Sequence, residues 1–374
     1  MMGGMAPDER VDIMEFGGSP GRRRWLRWLP PVVLVAAVAA LVVHGTHRAA
    51  PPPAASASPT VGAPSPDPST TDVARPLLGA TGGWELFGRG PSGVVRVEPA
   101  HGRVTRTAVP PLDSSGPVSF VAGPDWTIVR PLDFVPGYLV PDGQRARRLT
   151  GALSQGGVAL PSTDPAKVWM ANGVNDYTTM TLVDLTGKPG SSPIGFDAGL
   201  GIEPDGAGNA LLIGSTGVYA AGPDGVRRVT TGTLLAIGPG RWLLRECADP
   251  NRCEAILVDS RTGARRAVGD APDPPAGPPG SITPDGATAA LFHRGTAGMS
   301  VHLIDLASGT DRVLEVPVDQ PYDGGLAWSP EGRWLFIAGA DGRLYPVEAA
   351  TGQVHDLGVP LPPLEQLAVR APAG

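Results

Sequence analysis

A chain of 374 residues with 41% apolar composition can bury a large core, and its formal net charge of −6 argues against a nucleic-acid surface. Glycine (52) and proline (43) stand well above ordinary usage, which favours turn-rich β structure together with an extended segment. Lysine occurs only at Lys167 and Lys188, so the arginine-rich balance is a mark of a high-GC genome rather than of nucleic-acid binding.

Residues 1–24 form a short polar tail ending in Arg22, Arg23 and Arg24. The stretch between Arg27 and Arg48 contains no Asp, Glu, Lys or Arg and has a strongly apolar core at 32–43. Its length suits a bilayer-spanning helix. Trp25 and Trp28 sit where interfacial aromatics belong, and the arginines before them predict a cytoplasmic N-terminus. Pro30 and Pro31 fall in the first turn, where a missing amide does little harm. Residues 25–47 are therefore expected to be an uncleaved signal anchor in the plasma membrane. The alternative is cleavage at the small-x-small site Ala55-Ser56-Ala57, well beyond the apolar core and followed by Pro59. Residues 48–76, rich in Pro, Ser, Ala and Thr, cannot repay their ordering entropy and are expected to be a disordered linker.

From residue 77 to 374 a unit recurs. Its clearest copy is 326–357, where short apolar and aromatic runs are separated by Ser329-Pro330-Glu331-Gly332, by Gly339-Ala340-Asp341-Gly342 and by the hairpin turn closing at Gly352. In that hairpin an acidic side chain accepts the turn amides and glycine takes the left-handed corner. Equivalent turns close at Gly102, Gly143, Gly187, Gly225, Gly263 and Gly309, roughly forty residues apart. Pro124-Asp125, Pro204-Asp205-Gly206 and Pro284-Asp285-Gly286 repeat the upstream turn. Seven such units, each of three or four short strands, predict an all-β, seven-bladed β-propeller behind one transmembrane helix and a Pro/Ser/Ala-rich linker. The lone terminal strand at 364–370 is expected to complete the first blade and close the ring, removing two open sheet edges.

The last unit, with Ser329-Pro330-Glu331-Gly332 in place of an S-P-D-G turn, resembles the WD40-like, TolB-type propeller repeat. The paired Gly-His and Trp-Asp of true WD40 repeats do not recur. The whole layout resembles the anchored extracytoplasmic propellers of high-GC actinobacteria. Such a resemblance implies a fold and carries no reaction with it.

Candidate chemistry is sparse. Cys247 and Cys253 flank the turn 248–252 between two strand-like runs, and a hairpin disulfide suits an extracytoplasmic domain; two buried free thiols are the rival reading. Two thiolates alone are too few for a zinc site. His44 and His47 lie at the membrane exit, His101 and His355 in or after hairpin turns, and His293 with His302 flank one turn as a packing pair. Residues 77–374 contain no Gly-x-Ser-x-Gly elbow, phosphate loop or Ca²⁺ loop, so no cofactor is expected. The Pro-Asp-Gly carboxylates are explained by their turns. A propeller works through one end of its channel, and Arg89, Asn175, Asp176, Tyr177, Arg252, Arg294 and Asp341 are placed there as a binding face for a protein or a small polar ligand. The expected function is therefore a non-enzymatic binding scaffold. A carbohydrate-active lyase or hydrolase would instead converge carboxylates or a His–Tyr–Arg cluster on the channel mouth.

Overall fold

The structure is a computed structural model that describes residues 66–372 other than 113–115, 134, 175–176, 198–200, 250–251, 297 and 320–323. The tail at 1–24, the anchor at 25–47 and the linker as far as residue 65 lie outside the described residues. Among the described residues no helix is long and apolar enough to cross a membrane.

Residues from Ala63 to Gly374 belong to one compact unit of all-β, propeller-like architecture. The glycine turns set the strand lengths. Gly102, Gly143, Gly187, Gly225, Gly263, Gly309 and Gly352 all have positive φ, between 63° and 107°, a conformation that costs other residues strain. At Asp184, Asp259 and Asp305 one carboxylate oxygen accepts the amides of the following turn. The Thr186 hydroxyl on Asp184, and the turn amides on Asp259 and Asp305, lead in holding all three carboxyls below the ordinary aspartate range. In the Pro-Asp-Gly turns Asp205 accepts the amides of Ala207 and Asn209, and Asp285 that of Ala287.

The strands form antiparallel meanders arranged side by side. The first sheet runs, from inside outwards, Gln366–Arg370, Glu85–Gly90, Gly93–Glu98, Arg103–Ala108 and Ser69–Asp72. Six hydrogen-bonded sheets occur among the described residues: this five-stranded one, three of four strands, one of three and one of eight, and Val118–Ala122, Val158–Pro161, Gly201–Pro204 and Leu326–Trp328 are the inner strands of the four smaller ones. The eight-stranded sheet consists of two meanders joined through their inner strands, Thr233–Gly238 and Gly280–Ile282, which pair in parallel at Ala236↔Gly280 and Ile237↔Ser281.

Because side chains alternate along each strand, one strand feeds the apolar layers on both of its sides. Trp242 and Leu244 pack with Leu211 and Val218 of the preceding meander, whereas Leu243 packs with Leu291 and Ile304 of the following one. Each fully buried residue of this kind contributes about 2 kcal/mol. Tryptophans also clasp neighbouring meanders: the indole N–H groups of Trp126, Trp169 and Trp242 donate to the carbonyls of Pro165, Gly208 and Asp205 at 3.2, 3.1 and 2.9 Å.

The terminal strand closes the array as the sequence predicts, pairing antiparallel with Glu85–Gly90 from Glu85↔Arg370 to Arg89↔Gln366. The linker reading needs correction at its end. Ser69–Asp72 is a strand on the outer edge of the first sheet, in register from Ser69↔Arg106 to Asp72↔Arg103. Its four residues are all exposed, so it is held by the ladder, by Asp72–Arg103 at 3.0 Å and by the Val73 amide on the Gly102 carbonyl rather than by apolar burial.

Candidate functional site

The inner strands line a central channel of about 610 Å³. Its walls are mainly small or apolar, with Val118, Phe120, Val158, Leu160, Ile202 and Leu326 among them. Glu203 is the sole carboxylate among the described lining residues, and Gln366 is the buried amide. The Gln366 amide donates to the Val118 carbonyl at 2.7 Å, while its oxygen accepts the Arg89 Nε–H at 2.6 Å. Among the described residues no three His, Cys, Asp or Glu side chains group closely enough to hold a metal ion.

At the end carrying the turns between second and third strands lies a cavity of about 420 Å³. Asp319, Asp341 and Glu365 border it together with Pro91, Phe292 and the backbone of 338–342. Asp341 accepts the Tyr345 hydroxyl at 2.8 Å and the Arg343 amide at 3.0 Å. Burial pushes the Asp341 carboxyl up, but those two donors and the Arg343 charge outweigh it and hold it below the ordinary range. Burial and then the Asp341 carboxylate push the Tyr345 phenol up. The cavity is thus bordered by carboxylates and backbone groups, with Phe292 as its aromatic wall.

The predicted face residues fare unequally. Asp341 borders the cavity. Arg89 is not a free rim donor: its guanidinium is committed to Gln366 and Glu365, because it lies in the closing ladder. Asn175 and Asp176 lie outside the described residues, and Tyr177 opens the strand Tyr177–Asp184 opposite Val174 and Asp197. Arg294 is exposed one residue before the end of Thr288–Gly295. Arg252 is exposed and pairs with Asp249 at 3.4 Å. Beside it the Cys247–Cys253 disulfide joins directly opposed residues of the strands Arg241–Asp249 and Arg252–Asp259. By loop-closure entropy so short a bridge contributes about 2 kcal/mol. These residues adjoin a second groove, of about 870 Å³, that also includes Arg228, Thr230, Glu246 and Glu254.

Two arrangements were not foreseen from the sequence. Arg130, only 1% exposed, donates from Nε to the Leu153 carbonyl at 2.9 Å and from a terminal nitrogen to the Gly157 carbonyl. Burial pushes its guanidinium down to about 10, against the pull of Asp133. The second is the set of polar partners around the histidine pair that the sequence places across one turn. The rings of His293 and His302 lie 4.8 Å apart, and His302 also bonds Asp311 and Ser300.

No family model matches the sequence, and no curated protein does. Solved structures do share the fold. A 6-phosphogluconolactonase-like protein from Bacteroides uniformis is 13% identical with a TM-score of 0.50, over 78% of this chain and 100% of its own. An oligogalacturonate lyase in complex with manganese is 12% identical with a TM-score of 0.50, over 74% and 89%. A prolyl endopeptidase is 14% identical with a TM-score of 0.50, over 83% of this chain and 51% of its own. At these identities the likeness shows a β-propeller fold and nothing about activity.

Proposed function

We propose that the chain is a membrane-anchored, extracytoplasmic binding scaffold that presents a seven-bladed propeller on a short stalk. Residues 25–47 span the plasma membrane with the N-terminus in the cytoplasm, and the stalk ends before Ser69. The count of seven divides the eight-stranded sheet at its parallel pairing, since each half has its own outer hairpin. An apolar cluster at each junction between successive meanders supports that division.

The observation that carries the binding reading is the contrast between the channel and the turn-bearing end. The channel wall is largely apolar, whereas the adjoining 420 Å³ cavity gathers Asp319, Asp341 and Glu365 around exposed backbone groups. Ligand pockets combine an apolar frame with a few placed polar groups in this manner. A protein segment or a small polar ligand carrying a positive charge suits the cavity. A lyase or hydrolase would draw on those same carboxylates, of which Glu365 is paired with Arg89 and Asp341 accepts the Tyr345 hydroxyl and the Arg343 amide.

Proximity labelling of the intact protein in its own cells tests the reading. Reproducible envelope-protein neighbours, lost when Arg252, Arg294 and Asp341 are changed together, are expected. Neighbours unchanged by that triple substitution would sink the assignment of the face. Protease added to intact cells should cleave the 66–372 unit free; full protection until lysis would overturn the topology.

A further inference from the structure

We propose that Ser300, His302 and Asp311 form a nucleophilic relay, giving the protein an acyl-transfer site toward small esters beside Arg294. Ser300 and His302 occupy alternate positions of the strand Gly298–Asp305, so their side chains share one face of the sheet. Asp311 opens the neighbouring strand Asp311–Leu314, and His293 lies directly opposite Ser300 on Thr288–Gly295.

The donor and acceptor roles follow from the partners. Both Asp311 oxygens lie within reach of His302 Nδ1, at 2.8 and 3.0 Å. A carboxylate only accepts, so Nδ1 carries the proton and Nε2 of the neutral ring is the acceptor. The Ser300 hydroxyl is 3.1 Å from Nε2 and therefore donates to it. The competing acceptor, the His293 carbonyl, is farther away at 3.5 Å. This is the order of contacts by which a serine is activated: a base within hydrogen-bond reach of the nucleophile, and a carboxylate fixing the base's tautomer. Ser300 is partly exposed and the His302 side chain is 17% exposed, so a small substrate can approach. The His293 ring packed at 4.8 Å limits how far the His302 imidazole can turn.

The chemistry balances with water as the only co-reactant. Ser300 Oγ attacks the ester carbonyl carbon while its proton passes to His302 Nε2. The carbon–alkoxy bond then breaks, and the departing alcohol takes the proton from His302. Water attacks the acyl-serine in the same way, releasing the acid and restoring Ser300. Asp311 bonds His302 rather than the reacting atoms and is a positioning residue.

The purified full-length protein is treated with a fluorophosphonate probe, whose fluoride Ser300 displaces, and separately with p-nitrophenyl acetate. The label is expected on Ser300 by peptide mapping, and saturable ester hydrolysis is expected alongside it. Ser300→Ala removes both, and His302→Gln slows both about a hundredfold. Asp311→Asn lowers kcat about tenfold with KM unchanged, and Asp311→Glu recovers most of that loss; mere loosening of the strand pair gives no such recovery. Melting temperatures are measured on every variant. Should Ser300→Ala fail to fold, Ser300→Cys decides: its thiol reacts with iodoacetamide at least tenfold faster than in the Ser300→Cys, His302→Gln double variant. Labelling no faster than in Ser300→Ala, or equal thiol reactivity in the two cysteine variants, overturns the proposal.

Discussion

Arg130 shows how a single residue can bind two repeats. It lies on Trp126–Pro131, yet its guanidinium reaches the carbonyls of Leu153 and Gly157 in the connection to the next meander. Burial at 1% exposure makes each unsatisfied group expensive, and the low local dielectric makes each bond to the cation strong. Arg130→Ala should lower the unfolding free energy by about 3 kcal/mol in urea titration. Arg130→Lys should recover little, because a point donor cannot span both carbonyls. A loss below about 0.5 kcal/mol, the range of neutral surface changes, would show the clamp to be idle. Nothing in the sequence marks this arginine. Charged side chains are mostly solvated, and only the path of 151–157 places acceptors around it. The Ser300 and Asp311 partners of His302 were equally hidden, since the relay depends on a cross-strand register that residue spacing does not reveal.

At the scale of elements, what the sequence made legible was the punctuation. A positive φ nearly demands glycine, and an acidic residue before it satisfies the turn amides, so the hairpins could be placed without a structure. The missed strand, Ser69–Asp72, carries no apolar alternation because it covers an outer edge and buries nothing. Its anchor points are specific nonetheless. Thr70 meets Thr105, Asp72 meets Arg103, and the Gly102 α-carbon passes so close to Val73 and Arg75 that a Cβ would lie 2.4 Å from each carbonyl oxygen. A fragment beginning at residue 63 should therefore melt several degrees above one beginning at residue 76, by calorimetry at equal concentration. The shorter fragment also leaves the edge of Arg103–Ala108 unpaired and should self-associate more readily in light scattering. Identical melting and scattering would return 69–72 to the linker.

For the whole molecule, everything converges on the terminal strand Gln366–Arg370. Its ladder bonds complete the first sheet, Gln366 reaches the Val118 carbonyl of the second, and the Leu367 amide donates to Gly324 on the other side at 2.6 Å. Arg370 adds an ionic tie: it pairs with Glu85 at 2.7 Å and with Asp142 at 2.6 Å, and stacks over Phe87 at 4.3 Å. Asp142 belongs to the turn of the second meander, so one side chain joins the closing strand to both neighbours. In a repeat array each unit is stabilised mainly by its neighbours, and the end units have one neighbour fewer until the ring is closed. Removing residues 364–374 should thus cost more than its own contacts. It opens the edge of Glu85–Gly90 and uncovers Leu86 and Phe87, both now 1% exposed. The truncated protein should elute as aggregate and be cleaved by trypsin throughout, and a synthetic peptide of residues 361–372 should restore a monomeric, resistant species. A truncated chain that stays monomeric and resistant without the peptide would mean that the inter-sheet apolar layers hold the ring and the strand only decorates it.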